Sequence, residues 1–489
     1  MVDVVVRNKT SAIKGLTKED FILTDKGKEQ TIELFTATEY KTDGASAPPD
    51  RSVGTNRLNW RGAPVRSASV ILFDRLNTPT TDQAAVRKQL LAVLSSLKET
   101  DSVALCSLAQ RLTIVHDFTS NPTILARAAA HLDGSDPSEP TNPEEQATVK
   151  ALQEALTPAQ ETQAVFRATA TLNAFKSIAR HLAGLPGRKN LIWIARSFPT
   201  TFGSDLNRRS EYEKEVNAAI SVLQEENVAL YAVNPSGAGS GHEETFAGDR
   251  PVEGQLMPGA NAAQALGPGS ISDVATQTMI TDATGGITYR NGNEIASAIQ
   301  NALSDQELTY TLGFDPEEKA LDGKAHDINV KLSKKSDTSG ASLRFRKKYV
   351  ASKTDTRLQT PAVAELATDP LVATAVMLAG IAHPDPARPG FQKVDVSVSV
   401  NDLKMDRRDD GWTGAFDLGL YIDGAGPGAG SSQTINLNFT NDQLSQASSS
   451  GLVVGSAIDT KKQTVRLRAV VRDRLSGAAG AVLIPVTER

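Results

Sequence analysis

Between residues 67 and 305 short apolar runs alternate with stretches whose apolar residues recur every three or four positions. The runs at 70–73, 103–108, 112–115, 191–194, 228–233 and 287–289 are continuous rather than alternating, which predicts strands buried on both faces. Between them, 82–98 carries Val86, Leu90, Val93, Leu94 and Leu97 at helical spacing, with Asp82 early and Lys98 late as the helix dipole prefers. Similar spacing predicts helices over 124–132, 164–182, 211–226, 270–283 and 294–303. The short connection between 103–108 and 112–115 makes those two strands antiparallel neighbours. Alternation of this kind predicts a doubly wound α/β domain over 67–305, with a mostly parallel six-stranded sheet.

The pattern differs on either side. Residues 2–6, 21–24 and 31–36 read as strands, with a turn at Asp25-Lys-Gly-Lys28 and a single helical turn introduced by Thr17 and Asp20. Past 305, the segments 308–314, 328–332 and 343–345 alternate apolar and polar, as half-exposed antiparallel strands do. Residues 2–40 and 306–350 are expected to pair into one small β domain flanking the α/β domain. The Ala, Pro, Gly, Ser and Arg-rich stretch 41–66 reads as a linker, and 351–390 as a connector. Over 391–489, alternation at 394–400 and 465–471 predicts an all-β, sandwich-like domain.

Composition narrows the function classes. With 489 residues the chain is long enough for several domains, and 39% hydrophobic with 22% charged residues describes a globular protein. A formal charge of −5 gives no reason to expect nucleic acid as a partner. No stretch approaches a transmembrane span. The single cysteine, Cys106, precludes an internal disulfide and sits in an apolar run that predicts a buried thiol. Residues 2–6 read as a strand already under way behind a bare Met1, so a removed export signal is expected.

The candidate chemistry lies where the first apolar run of the α/β domain stops, at Asp74, Asn77 and Thr78. Parallel sheets bind ligands beyond the carboxyl ends of their strands, next to the reversal of strand order. Several phrases then carry a resemblance: Gly15-Leu-Thr-Lys-Glu-Asp-Phe21, Phe73-Asp-Arg-Leu-Asn-Thr78, Gly187-Arg-Lys-Asn-Leu-Ile-Trp193, Asp282-Ala-Thr-Gly-Gly286 and Tyr310-Thr-Leu-Gly-Phe314. Over roughly 2–350 the chain resembles von Willebrand factor A domain proteins, in particular the secreted, acidobacterial-type group related to that domain.

The resemblance implies a partner-binding domain with a metal-ion-dependent adhesion site, in which Mg²⁺ or Ca²⁺ is held by hard oxygen ligands and completed by a partner's carboxylate. On the family's pattern Asp74 matches the leading Asp, Thr78 the second Ser position and Thr169 the loop Thr. Leu76 stands where the first Ser belongs, and Arg196 where an Asp is expected after the fourth strand. The site is therefore degenerate, with Asp74, Thr78 and Thr169 as possible ligands and Asn77 and Arg196 on the partner-binding edge. Three arrangements are open: a divergent metal site, a metal-free edge held by an Asp74–Arg196 pair, and an Arg196 fork that takes the partner's carboxylate directly.

Enzymatic alternatives have little support. The six histidines show no metal-ligand spacing and lie in no nucleophile motif, and no Gly-x-Ser-x-Gly elbow precedes a helix. Gly237-Ala-Gly-Ser-Gly241 opens no helix, so it fails as a dinucleotide fingerprint. The expectation is a non-enzymatic protein-binding or adhesion-type protein, exported to the periplasm or cell surface, with docking helped by the 235–269 loop. The alternative is a structural cell-envelope scaffold, with a hydrolase a distant third.

Overall fold

The computed structural model describes residues 1–8, 11–39, 53–60, 63–64, 68–95, 97, 102–119, 121–130, 132, 157–196, 198, 206–235, 273–290, 295–316, 325–333, 340–350, 360–408, 411–426, 428–460 and 466–486. Residues 236–269 of the expected docking loop lie outside them.

Six strands form the central sheet, in the spatial order Leu112–Thr119, Val103–Leu108, Ser69–Asp74, Lys189–Ile194, Val228–Val233 and Thr288–Tyr289. Every neighbouring pair is parallel except the first, where Leu112–Thr119 turns back on Val103–Leu108. The continuous apolar runs follow from double coverage, since successive residues of a strand point to opposite faces. On one face Leu72, Leu191, Trp193 and Leu230 pack under the helices Thr157–Leu182, Leu206–Glu225 and Asp273–Thr284. On the other, Ile71, Phe73, Ile192 and Tyr231 pack under Thr80–Leu94, Pro122–Ala130 and Ile295–Ser304. The chain leaves Ser69–Asp74 for Val103–Leu108 on one side and later takes up Lys189–Ile194 on the other. The strand order thus reverses at the end of Ser69–Asp74.

A small β unit is woven from both flanks of this domain. Val2–Arg7 lies antiparallel between Leu308–Gly313 and Ser342–Arg344, and Phe21–Asp25 pairs with Ala325–Leu332. The turn after Phe21–Asp25 has positive φ at Lys26 and Gly27, and the short strand Lys28–Gln30 returns from it. The expected return strand at 31–36 is corrected: Leu34–Glu39 crosses to Leu308–Gly313 instead. Leu308–Gly313 therefore sits between two neighbours and is buried almost throughout rather than half exposed.

Two sheets sharing one apolar core make up the C-terminal unit. In Phe391–Val398 the alternation is realised: Val394, Val396 and Val398 are buried while Asp395 is exposed. In Arg466–Asp473 it is not, because Val470 packs outward beneath Val363 and Leu366 of a short helix. Two boundaries also move. Leu378–Pro384, inside the expected connector 351–390, pairs along its length with Phe391–Val398, so the unit begins before 391. Within the expected linker 41–66, Gly54–Thr55 adds to the same sheet. Buried Asn56 donates from Nδ2 to the carbonyls of Ala373 (3.0 Å) and Val376 (2.8 Å) and accepts from the Leu378 amide (2.7 Å). Gly54 is required there, since a Cβ would meet the Leu483 carbonyl oxygen at 2.2 Å. Composition signalled a linker because the pairing runs over two residues and one asparagine side chain.

Candidate functional site

Asp74 is the last residue of its strand and is fully buried at the reversal of strand order. The strand stops because the carboxylate caps its own loop: Oδ1 accepts from the Asn77 amide at 3.0 Å. Two further backbone bonds fix the loop to its neighbours, from the Leu76 amide to the Leu108 carbonyl (3.1 Å) and from the Arg196 amide to the Asn77 carbonyl (3.2 Å). Gln83, in the helix that follows, ties the loop down by donating to the Thr78 carbonyl at 2.9 Å.

The second carboxylate oxygen is crowded. Asp74 Oδ2 accepts from Asn77 Nδ2 at 2.7 Å, Trp193 Nε1 at 2.9 Å and Thr171 Oγ1 at 3.3 Å. Trp193 reaches it diagonally from the next strand, where it lies opposite Leu72 on the same face of the sheet. Phe175 and Phe198 hold the indole edge-on, with ring centroids 5.3 and 5.7 Å away. Burial pushes the Asp74 carboxyl above its ordinary pKa, and the bonds from Asn77, Trp193 and Thr171 act in the opposite direction.

The residues singled out in the sequence are therefore only partly brought together. Asn77 and Thr78 lie buried beside Asp74. Thr169 does not: it is exposed on Thr157–Leu182, and Thr171 takes the place expected of it. The inward face of that helix runs through Ala168, Thr171, Leu172 and Phe175, spacings of three and four that leave Thr169 outside. Extending the helical period back from Phe175 would have found Thr171. The expected Asp74–Arg196 pair is also corrected. The Arg196 guanidinium turns outward to Asp82 at 3.1 Å, with its side chain 45% exposed. The indole N–H of Trp193, not a guanidinium, serves the buried carboxylate.

These donors do not suit a hard divalent cation, which takes about six oxygen ligands. Both Asp74 oxygens already face N–H groups, and a metal there would have to displace them. Two unpartnered oxygens remain buried nearby, Asn77 Oδ1 and Thr78 Oγ1, but neither carries charge. Among the described residues no three His, Cys, Asp or Glu side chains cluster in a way that could hold a metal.

The strand order, the lone antiparallel edge strand and the loop at the reversal point are those of a von Willebrand factor A-type α/β fold. No sequence-family model matches the chain, and no curated protein matches it. Solved structures do. An aerotolerance-related membrane protein from Bacteroides fragilis is 15% identical and aligns over 48% of this chain and 98% of its own, with a TM-score of 0.26. A von Willebrand factor type A structure from Catenulispora acidiphila is 10% identical over 68% of this chain and 77% of its own, with a TM-score of 0.27. Proximal thread matrix protein 1 from the mussel byssus, with a zinc-occupied adhesion motif, is 10% identical over 52% and 48%, at a TM-score of 0.27.

Proposed function

We propose that the chain is a non-enzymatic, protein-binding A-domain protein, exported to the periplasm or cell surface, whose partner docks at the carboxyl edge of the central sheet without a metal ion. One observation carries this reading: the edge presents an arginine where the adhesion-site pattern has an aspartate, and that arginine is exposed. Among the described residues Arg196 is held by Asp82 alone at 3.1 Å, in a pair open enough to solvent to exchange at little cost. A partner carboxylate can replace Asp82 on the guanidinium fork, which matches carboxylate geometry in two parallel bonds. Asp74, Asn77, Thr171 and Trp193 form the rigid floor below it. The metal-dependent form of docking through Asp74, Thr78 and Thr169 is set aside, because the carboxylate is already enclosed by N–H donors.

A structural scaffold is the second reading, favoured by how firmly the C-terminal unit is seated on Thr157–Leu182. Arg180 pairs with Asp369 at 3.2 Å, His181 Nδ1 meets the Val372 carbonyl at 2.8 Å, and Thr374 Oγ1 donates to the His181 carbonyl at 2.8 Å. The two readings part on Arg196→Glu. Immobilised wild-type chain should retain an envelope protein equally well with or without EDTA, and Arg196→Glu should lose it. Equal retention by the variant would sink the binding edge and leave the scaffold.

A further inference from the structure

At the opposite end of the central sheet a second polar site is built across the seam between the α/β domain and the small β unit. Arg188 immediately precedes the strand Lys189–Ile194 and is 2% exposed. Its Nη2 donates to the Gly285 carbonyl at 2.5 Å and to the Tyr231 hydroxyl at 3.3 Å, and its buried Nε has no partner. Arg346 comes from the segment between Ser342–Arg344 and Lys348–Val350. It donates one bond, to the Met1 carbonyl, and its Nε is likewise buried and unpartnered. Both arginines line one open cleft of about 430 Å³.

Among the described residues neither guanidinium touches a carboxylate, although against the cost of burial Tyr231 and Asp305, the latter one bond beyond the Tyr231 hydroxyl, hold the Arg188 guanidinium above its ordinary pKa. Asp3 lines the same cleft, but its oxygens are turned to Thr311 Oγ1 at 2.7 Å and to Asn227 Nδ2. Glu225, which has partners of its own, lines it as well. Burial pulls the Arg346 guanidinium below its ordinary pKa, and Asp3 offsets only part of that. Buried cations are ordinarily paired, because desolvation without a counter-charge costs several kcal/mol. Arg188 is such a cation, and half-buried Arg346 lines the same cleft, each with an unused N–H, a donor set that an oxyanion can use.

We propose that this cleft binds a small oxyanion, a phosphate or a carboxylate, between Arg188 and Arg346. The anion supplies the counter-charge that Asp3 does not, and it joins the two units because each contributes one arginine. Oxyanion binding therefore tightens the seat of the small β unit on the α/β domain. The site is independent of the carboxyl edge and of whatever docks there.

The test is calorimetric titration of the full chain with inorganic phosphate and, separately, with acetate, repeated on Arg346→Gln. Arg346 is the variant of choice because its one bond is to a backbone carbonyl, whereas Arg188 is locked into the domain floor. Saturable phosphate binding that weakens about tenfold or more in Arg346→Gln is expected. Acetate competing for the same site would assign the carboxylate form, and phosphate binding that acetate leaves untouched would assign the tetrahedral form. Arg75→Gln, at the far edge, should bind like wild type. Heat from neither anion, affinity unchanged in Arg346→Gln, or an equal loss in Arg75→Gln would overturn the proposal.

Discussion

Replacing Trp193 with phenylalanine isolates the bond on which the carboxyl edge depends. The indole N–H donates to Asp74 Oδ2 at 2.9 Å, and both side chains are fully buried. A hydrogen bond to a charged group contributes about 1.5–3 kcal/mol. The smaller ring also leaves part of the space between Phe175 and Phe198 unfilled, which costs about 1–2 kcal/mol more. The expected loss is about 2.5–5 kcal/mol, read from urea unfolding followed by far-UV circular dichroism. A cycle with Asp74→Ala separates the two parts, since only the bond couples the positions. Its coupling energy should be about 1.5–3 kcal/mol. The pH dependence has a definite sign. Burial raises the Asp74 pKa in the fold, so the protonated acid favours folding at low pH, and that contribution is lost as pH rises through the raised value. Trp193 holds the pKa down, so the loss in Trp193→Phe should be larger at neutral pH than in acid. A coupling below about 0.5 kcal/mol, or a loss that does not change with pH, would refute the assignment of the indole as a support of the carboxylate.

Two other perturbations probe the framework. Asp305 is fully buried and pairs with Arg7 at 3.1 Å and with Arg344, so Asp305→Ala strands two cations and should cost about 3–5 kcal/mol, or about 6–20 °C in melting temperature. Burial pushes the Cys106 thiol up to about 12, leaving roughly one part in ten thousand as thiolate near pH 8. A thiol reagent should therefore label Cys106 in urea and not in the native protein, as mass spectrometry would read directly.

The α/β domain was legible because its strands are buried on both faces. Runs such as Val103–Leu108 and Val228–Val233 can be read without alternatives, and helices between them force parallel order. What escaped were contacts made by few residues. Gly54–Thr55 joins a sheet more than 300 positions away through two residues, too short to leave a periodic signal. Leu34–Glu39 was misassigned for another reason: after a tight turn the nearest partner is the preceding strand, and only the whole fold reveals that Leu308–Gly313 was open.

The candidate edge divides along similar lines. Asp74, Asn77 and Thr78 were readable because all three lie within one turn of a strand end, where local chain geometry determines position. Thr171 and Trp193 come from elements about 100 residues further on, and their roles depend on which way each side chain faces. For Thr171 the helical period held that information, and matching a pattern to Thr169 passed over it. Arg196 was placed correctly at the edge, yet its direction is a matter of competition. A buried partner at Asp74 would have cost the guanidinium its hydration, while Asp82, 28% exposed, offers an opposite charge with most of that hydration kept. The indole pays no such penalty, because it enters the interior as an apolar ring with one N–H to satisfy. Carboxylate inside and guanidinium outside is thus the arrangement desolvation favours, and it leaves Arg196 at the surface in an exposed pair with Asp82.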